Sequence, residues 1–155
     1  HEGLWFDVGK VEGYMLANFK VLETVSRDKP LTGKNVEINS ASKVLPPILI
    51  GGEVEIEAQT KIGPYVVIGN NSFVGEKCKI DHSIIFEKVR VGFNSSIVHS
   101  VIGESVNIGQ KVRVGKGGVI GDYAIISNGV RLVNQVSVCP YREVTSHILR
   151  RQIYH

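Results

Sequence analysis

Ile62-Gly63-Pro64-Tyr65-Val66-Val67-Ile68-Gly69-Asn70-Asn71-Ser72-Phe73-Val74-Gly75 decides the fold. An aliphatic residue followed by glycine recurs at every sixth position: Ile62, Ile68, Val74. The same beat sounds upstream at Ile50-Gly51 and downstream at Ile108-Gly109, Val114-Gly115 and Ile120-Gly121. A helix repeats at about 3.6 residues and an ordinary strand at about 2. A period of six belongs to a parallel β-helix, in which each short side of a coil carries one hexad and one inward side chain.

Counted outward from that stretch, the inward positions are Ile38, Val44, Ile50, Ile56, Ile62, Ile68, Val74, Ile80, Phe86, Val91, Ile97, Ile102, Ile108, Val114, Ile120, Ile126, Leu132 and Val138. Three sides per coil make about six coils, a prism roughly 29 Å tall at ~4.8 Å per layer. The place four residues after an inward position is small or β-branched, as at Val54, Thr60, Val66, Ser72, Cys78, Ala124, Val130 and Val136, which fits a cramped inner corner. Two sides are one residue short in this count, 86 to 91 and 97 to 102, and the coil is expected to be irregular there.

The flanks read differently. Residues 4–8 suggest a short strand ended by Gly9. Residues 11–25 place Tyr14, Met15, Ala17, Phe19, Leu22 and Val25 in helical spacing. Residues 27–35 hold Pro30 and Gly33 among polar side chains and read as a connector. The hexads span 36–142 and fade at Pro140. In the tail, 143–155, Val144, Ile148, Leu149 and Ile153 suggest a short C-terminal helix covering the open end of the prism; a frayed, solvated tail is the alternative. The expectation is thus a mostly β protein: one strand, one helix, the coils, and a short tail.

Composition narrows the function classes. With 155 residues, 17 glycines, 7% aromatics and a net charge of +3, the chain suits one thin aliphatic core. No Lys/Arg cluster along the sequence is dense enough to suggest nucleic acid. No apolar run approaches the ~18 residues of a membrane span. Cys78 and Cys139 form neither a metal-site spacing nor a disulfide framework. No secretory leader opens the sequence, so the cytoplasm is the expected compartment. The chain starts without methionine, in mid-motif, and is expected to be a piece of a longer one.

Two signatures meet in a telling order. Trp5-Phe6-Asp7-Val8-Gly9-Lys10-Val11-Glu12-Gly13-Tyr14-Met15-Leu16-Ala17-Asn18 resembles the closing motif of sugar-phosphate nucleotidyltransferase catalytic domains, an aromatic-x-Asp-Ile/Val-Gly run and its helix. The hexads, through Ser83-Ile84-Ile85-Phe86-Glu87 to Val106-Asn107-Ile108-Gly109, resemble the left-handed β-helix appended to those enzymes, the mannose-1-phosphate guanylyltransferases and glucose-1-phosphate thymidylyltransferase-like proteins above all. The left hand comes from this resemblance, since ordinary crossovers are right-handed. Residues 1–26 would be the end of the catalytic domain.

The resemblance implies that the parent joins a nucleoside triphosphate to a sugar 1-phosphate with Mg²⁺, and that Asp7 helps to hold the metal beside the sugar phosphate. The Gly-rich nucleotide-binding half is absent from this sequence, so no turnover and no bound cofactor are expected of this stretch alone. The solenoid would serve oligomerisation or regulation, with a homotrimer favoured over a dimer. Val67, Phe73, Ile85, Phe93 and Val119 are the expected outward apolar residues. Neither nucleic acid nor a membrane is an expected partner.

The solenoid also carries histidines. His82 and His99 each follow an inward isoleucine by two places, and they lie seventeen residues apart, one full coil. They should stack in adjacent layers, with Lys116 in the next. Three readings stand: a general base for acyl transfer with acyl-CoA in a groove, a zinc site, or a solvated ladder of stacked side chains. Zinc needs a third ligand, and His1, His147 and His155 lack a matching spacing. Where acetyl-transferring relatives of this family carry Gly-Ala-Gly-Thr, this chain has Gly109-Gln110-Lys111-Val112, which counts against acyl transfer.

Overall fold

The computed structural model describes residues 8–155. The strand expected over 4–8 and the ligand Asp7 therefore lie outside the described residues, apart from Val8, which opens a helix, α1, over Val8–Val25. The rest of the described chain winds as short strands of two or three residues in three parallel sheets, the walls of a triangular prism. The first wall has eight strands, from Leu31–Thr32 to Gln152–Tyr154. The second has seven, from Glu37–Ile38 to Glu143–Val144. The third has six, from Lys43–Val44 to Arg131–Leu132. The fold is a left-handed parallel β-helix of about seven coils, one more than the sequence count.

Register follows from the hexads. On the third wall Val44 pairs with Ile62, Ile62 with Ile80, Ile80 with Ile97, Ile97 with Val114 and Val114 with Leu132. Each inward aliphatic sits on its own kind one coil away, so the core is an unbroken column. Ile62, Ile80 and Ile97 are fully buried, and full burial of such a side chain stabilises by roughly 1.5–3 kcal/mol. The close stacking of backbones explains the glycine of the hexad: a Cβ on Gly69 would lie 2.6 Å from the backbone of Phe86 and Glu87. The small corner residues do more than fit. Thr60 Oγ1 donates to Gly75 O at 2.8 Å and accepts from Cys78 N, so hydroxyls inside the prism pair the corner backbone.

Several expectations change. The inward residue of its side is Ile85, 1% exposed, not Phe86. The short sides are therefore Ile80 to Ile85 and Ile97 to Ile102, which stack on one corner. His82 and His99 turn those corners alone with φ 46° each, and a buried serine, Ser83 or Ser100, follows each. Longer versions of the same corner use two residues, Pro64-Tyr65 and Lys116-Gly117. Coiling also begins earlier than Val36, because Leu31–Thr32 already pairs with Leu49–Ile50. The tail forms no helix. Val144 falls six residues after Val138 and is buried, Ile148 bridges to Leu132, and Gln152–Tyr154 adds a strand to the first wall.

Helix α1 lies along the outer face of the first wall. Its buried side chains Val11, Met15 and Leu22, with the half-buried Phe19, recur at helical spacing. Val11, Met15 and Phe19 pack on Ile84, Val101, Val119 and Val67. Its C-terminal end is tied down by Ser26, whose hydroxyl accepts from Ile48 N at 3.1 Å. Val67 and Val119, expected as free outward residues, are thus covered by the chain's own helix, and Ile85 points inward. Phe73 and Phe93 do face outward, half-buried under Arg90 and Lys77. Among the described residues no helix is long and apolar enough to cross a membrane.

Candidate functional site

The corner between the third and first walls gathers the chemistry. Tyr65, His82 and His99 occupy it in successive coils, and all three adopt positive φ. Their rings form a column: Tyr65 to His82 at 5.1 Å, then His82 to His99 at 4.5 Å with planes 4° from parallel. The stacking expected from the seventeen-residue spacing is present. Phe19 of α1 closes the side, edge-on to His82 at 5.8 Å and 5.4 Å from Tyr65. The Tyr65 hydroxyl reaches the Glu23 carboxylate, a second tie between helix and corner.

Charge is arranged around the pair. Asp81 Oδ1 stands 3.2 Å from His82 Nδ1. The His99 pKa is lowered, by burial first and then by His82 and Lys116, against an opposing pull from Asp81. A neutral imidazole at His99 is the consequence near pH 7, suited to stacking or to accepting a proton.

Asp81, His82 and His99 also place one ligand atom each within 4.8 Å of one another. The third ligand missing from the sequence reading was this carboxylate, one residue before His82. Yet the lone pairs of an imidazole lie in its ring plane, and two nearly parallel planes do not converge on a common ion. One ring must turn before both bind one metal. The two C-terminal histidines are elsewhere, and His1 lies outside the described residues: His147 Nδ1 accepts from Arg131 N, and His155 lies beside Cys139. Cys78 is buried, its thiol pushed up by that burial, with Sγ 3.0 Å from Gly92 O, as an inert core residue should be.

Above His99 the column stops. The matching corner of the next coil is Gly117, φ 80°, which has no side chain. A cavity of about 400 Å³ opens there between α1 and the prism, with His99, Phe19, Lys116 and Gln135 in its lining. A shallower groove of about 660 Å³ adjoins it on the third wall and includes Arg113, Lys116 and Arg131.

The groove belongs to a larger pattern that sequence reasoning missed. Lys43, Lys61, Lys79, Arg113 and Arg131 stand in line up the outer face of the third wall, interrupted only by Ser96. All five are exposed. The cations are scattered along the sequence, so no local density betrays them. Their signal is recurrence at one coil length, always just before an inward aliphatic.

The chain is similar to several known proteins. A glucose-1-phosphate adenylyltransferase of Acetivibrio thermocellus is 25% identical over 163 residues, which takes in 90% of this chain. The chain spans only 38% of that relative's length. Among solved structures, a perosamine N-acetyltransferase of Caulobacter crescentus, crystallised with CoA and GDP-perosamine, superposes with a TM-score of 0.51. It is 15% identical, over 77% of this chain and 51% of that one. A UDP-N-acetylglucosamine acyltransferase of Francisella novicida follows at 0.49, with 21% identity over 81% and 52% of the two chains. At 15% identity the perosamine N-acetyltransferase shares the fold alone, and its ligands are its own. The sequence profile of the GMPPB C-terminal domain matches residues 44–154, nearly the whole prism. The chain belongs to the GMPPB C-terminal domain family.

Proposed function

We propose that this chain is the C-terminal module of a sugar-phosphate nucleotidyltransferase, and that the prism assembles the parent enzyme, a mannose-1-phosphate guanylyltransferase or a near relative. The match of residues 44–154 to a C-terminal domain carries this reading. The parent would join a nucleoside triphosphate to a sugar 1-phosphate in the cytoplasm, and Mg²⁺ would supply charge neutralisation at the phosphates, with Asp7 among its ligands. The module by itself is proposed to be inactive.

The outer faces support a homotrimer. The first wall is occupied by α1, which leaves two walls. The third presents its row of cations. The second presents Glu37, Glu55 and Glu143 at its two ends, with Phe73, Arg90, Asn107 and Ile125 between them, beside the exposed Tyr123–Tyr141 stack. Glu37 and Glu55 belong to the same lower coils as Lys43 and Lys61. Packing the second wall of one copy on the third wall of the next brings Glu37 and Glu55 opposite Lys43 and Lys61 at equal heights, and sets Phe73, Asn107 and Ile125 against Lys79, Arg113 and Arg131. On a triangular prism such head-to-tail contacts close after three copies. Sedimentation equilibrium at micromolar concentration should give a trimer. Lys61→Glu should shift it towards monomer by at least tenfold in association constant. A monomer in the unaltered chain contradicts the assembly role.

A further inference from the structure

The place where the aromatic column stops is shaped for one more ring. Tyr65, His82 and His99 fill three consecutive coils of the corner, and Gly117 leaves the fourth without a side chain. The fifth carries Gln135, which leans back over Gly117: a Cβ there would lie 3.2 Å from Gln135 Cγ. His99 and Gln135 are two coil rises apart, about 9.6 Å, enough for a single planar ring between them. His82 covers one face of the His99 ring, and His99 also lines the 400 Å³ cavity. That volume falls in the ~300–1,000 Å³ range of small-ligand pockets.

The rim gives the ligand its other properties. Val119, Met15 and Phe19 make the inner wall apolar, as a ring requires. Glu12, Asn134 and Gln135 offer acceptors and amide donors at the edges, suited to the polar edge of a heterocyclic base. Lys116 and Asn134 line both this cavity and the adjoining groove, where Arg113 and Arg131 add two guanidinium groups. Arg113 Nη1 donates to Asn94 O, whereas the side chains of Lys116 and Arg131 form no ion pair among the described residues. A ring slot that opens onto three cations matches a base followed by a short chain of phosphates.

We infer that the corner above His99 binds a purine nucleoside 5′-diphosphate, its base stacked on His99 beneath Gln135 and its phosphates directed past Lys116 towards Arg113 and Arg131. This site lies on the prism and goes beyond the assembly role proposed above. It would give the module a nucleotide to sense that is separate from any substrate of the parent.

Titration calorimetry on this chain tests the inference, with ADP, GDP, the matching nucleosides and inorganic pyrophosphate as probes. ADP or GDP should bind, and more tightly than pyrophosphate or the nucleoside alone. His99→Ala should weaken binding about tenfold, the scale of one lost stacking contact. Lys116→Ala should weaken the diphosphate while leaving the nucleoside unchanged. Gly117→Asn, which tolerates positive φ and places a side chain in the slot, should abolish binding. If that variant misfolds by circular dichroism, the His99 and Lys116 variants still decide. The inference is overturned if neither diphosphate binds, if pyrophosphate binds as tightly as both, or if His99→Ala binds normally. Acyl transfer from acetyl-CoA that disappears in His99→Ala would also overturn it, by making the cavity an acyl-donor site. The groove of Arg113 and Arg131 lies on the wall that the trimer packs, so sedimentation is run with and without GDP beside the calorimetry: a trimer that binds no diphosphate overturns this inference alone, and a monomer that binds one overturns the assembly role alone.

Discussion

His99 shows how one side chain carries the consequences of a coil. Its place beside His82 follows from a spacing of seventeen, and the sequence alone showed that the two rings would meet. It also placed Lys116 in the next coil, but it did not show what else would arrive: Asp81 from the same corner, and Phe19 and Glu12 from α1, one on His82 and the other on the cavity rim. Burial lowers its pKa in the folded chain, whereas the unfolded chain keeps a value near 6.5. Between the lowered value and about 6.5 the unfolded state binds more protons, so stability rises with pH across that window. It is fully present above about 6.5 and lost as pH falls through the folded value. Urea midpoints at pH 5, 6, 7 and 8 should show this slope, and His99→Gln should flatten it. An unchanged slope in the variant would assign the titration to another group. The misplaced inward residue teaches a related lesson. Ile84-Ile85-Phe86 offers three apolar candidates in a row, and periodicity cannot choose among them when a residue is missing. The structure chooses Ile85, because the corner at His82, like that at His99, spends one residue where the corners at Pro64-Tyr65 and Lys116-Gly117 spend two.

At the scale of elements, the helix was legible and its docking was not. Alternation separates inward from outward side chains on a wall, but it is silent on what covers the outward ones. Val67 and Val119 therefore resembled an interface between copies until α1 was seen lying on them. Met15→Asp should lift the helix, because a buried carboxylate without a partner is costly. Ile84, Val101 and Val119 would then be bared, and fluorescence of an apolar dye should rise several-fold. The circular dichroism of the walls should persist, since their ladders do not depend on α1. Loss of the β signal in that variant would show instead that the helix holds the prism together. The tail was misread for a comparable reason. Ile148, Leu149 and Ile153 fit a helix as spaced, yet Val144 keeps the six-residue interval from Val138, and wall pairing overrides the local pattern.

The whole molecule is a stack in which each coil touches only its neighbours, and its three walls are unequal, with eight, seven and six strands. The sequence predicted the column closely because one beat specifies it throughout. It undercounted the rungs because the first strand, Leu31–Thr32, and the last, Gln152–Tyr154, place Thr32 and Tyr154 where the hexad elsewhere has an aliphatic residue. Unequal walls give the stack stepped ends, like a spiral stair cut off between landings. Amides there lack a covering layer on one side, and the free energy of local opening is lowest where neighbours are fewest. Hydrogen exchange should therefore be fastest around Glu37–Val44 and Glu143–Ile148, and slowest near Ile97, with at least a hundredfold difference in protection. Uniform protection from end to end would mean that the rungs unwind together. The gradient has a consequence for ancestry and engineering alike: rungs duplicated in the slow middle inherit neighbours above and below, whereas rungs added at a stepped end must bring their own lid.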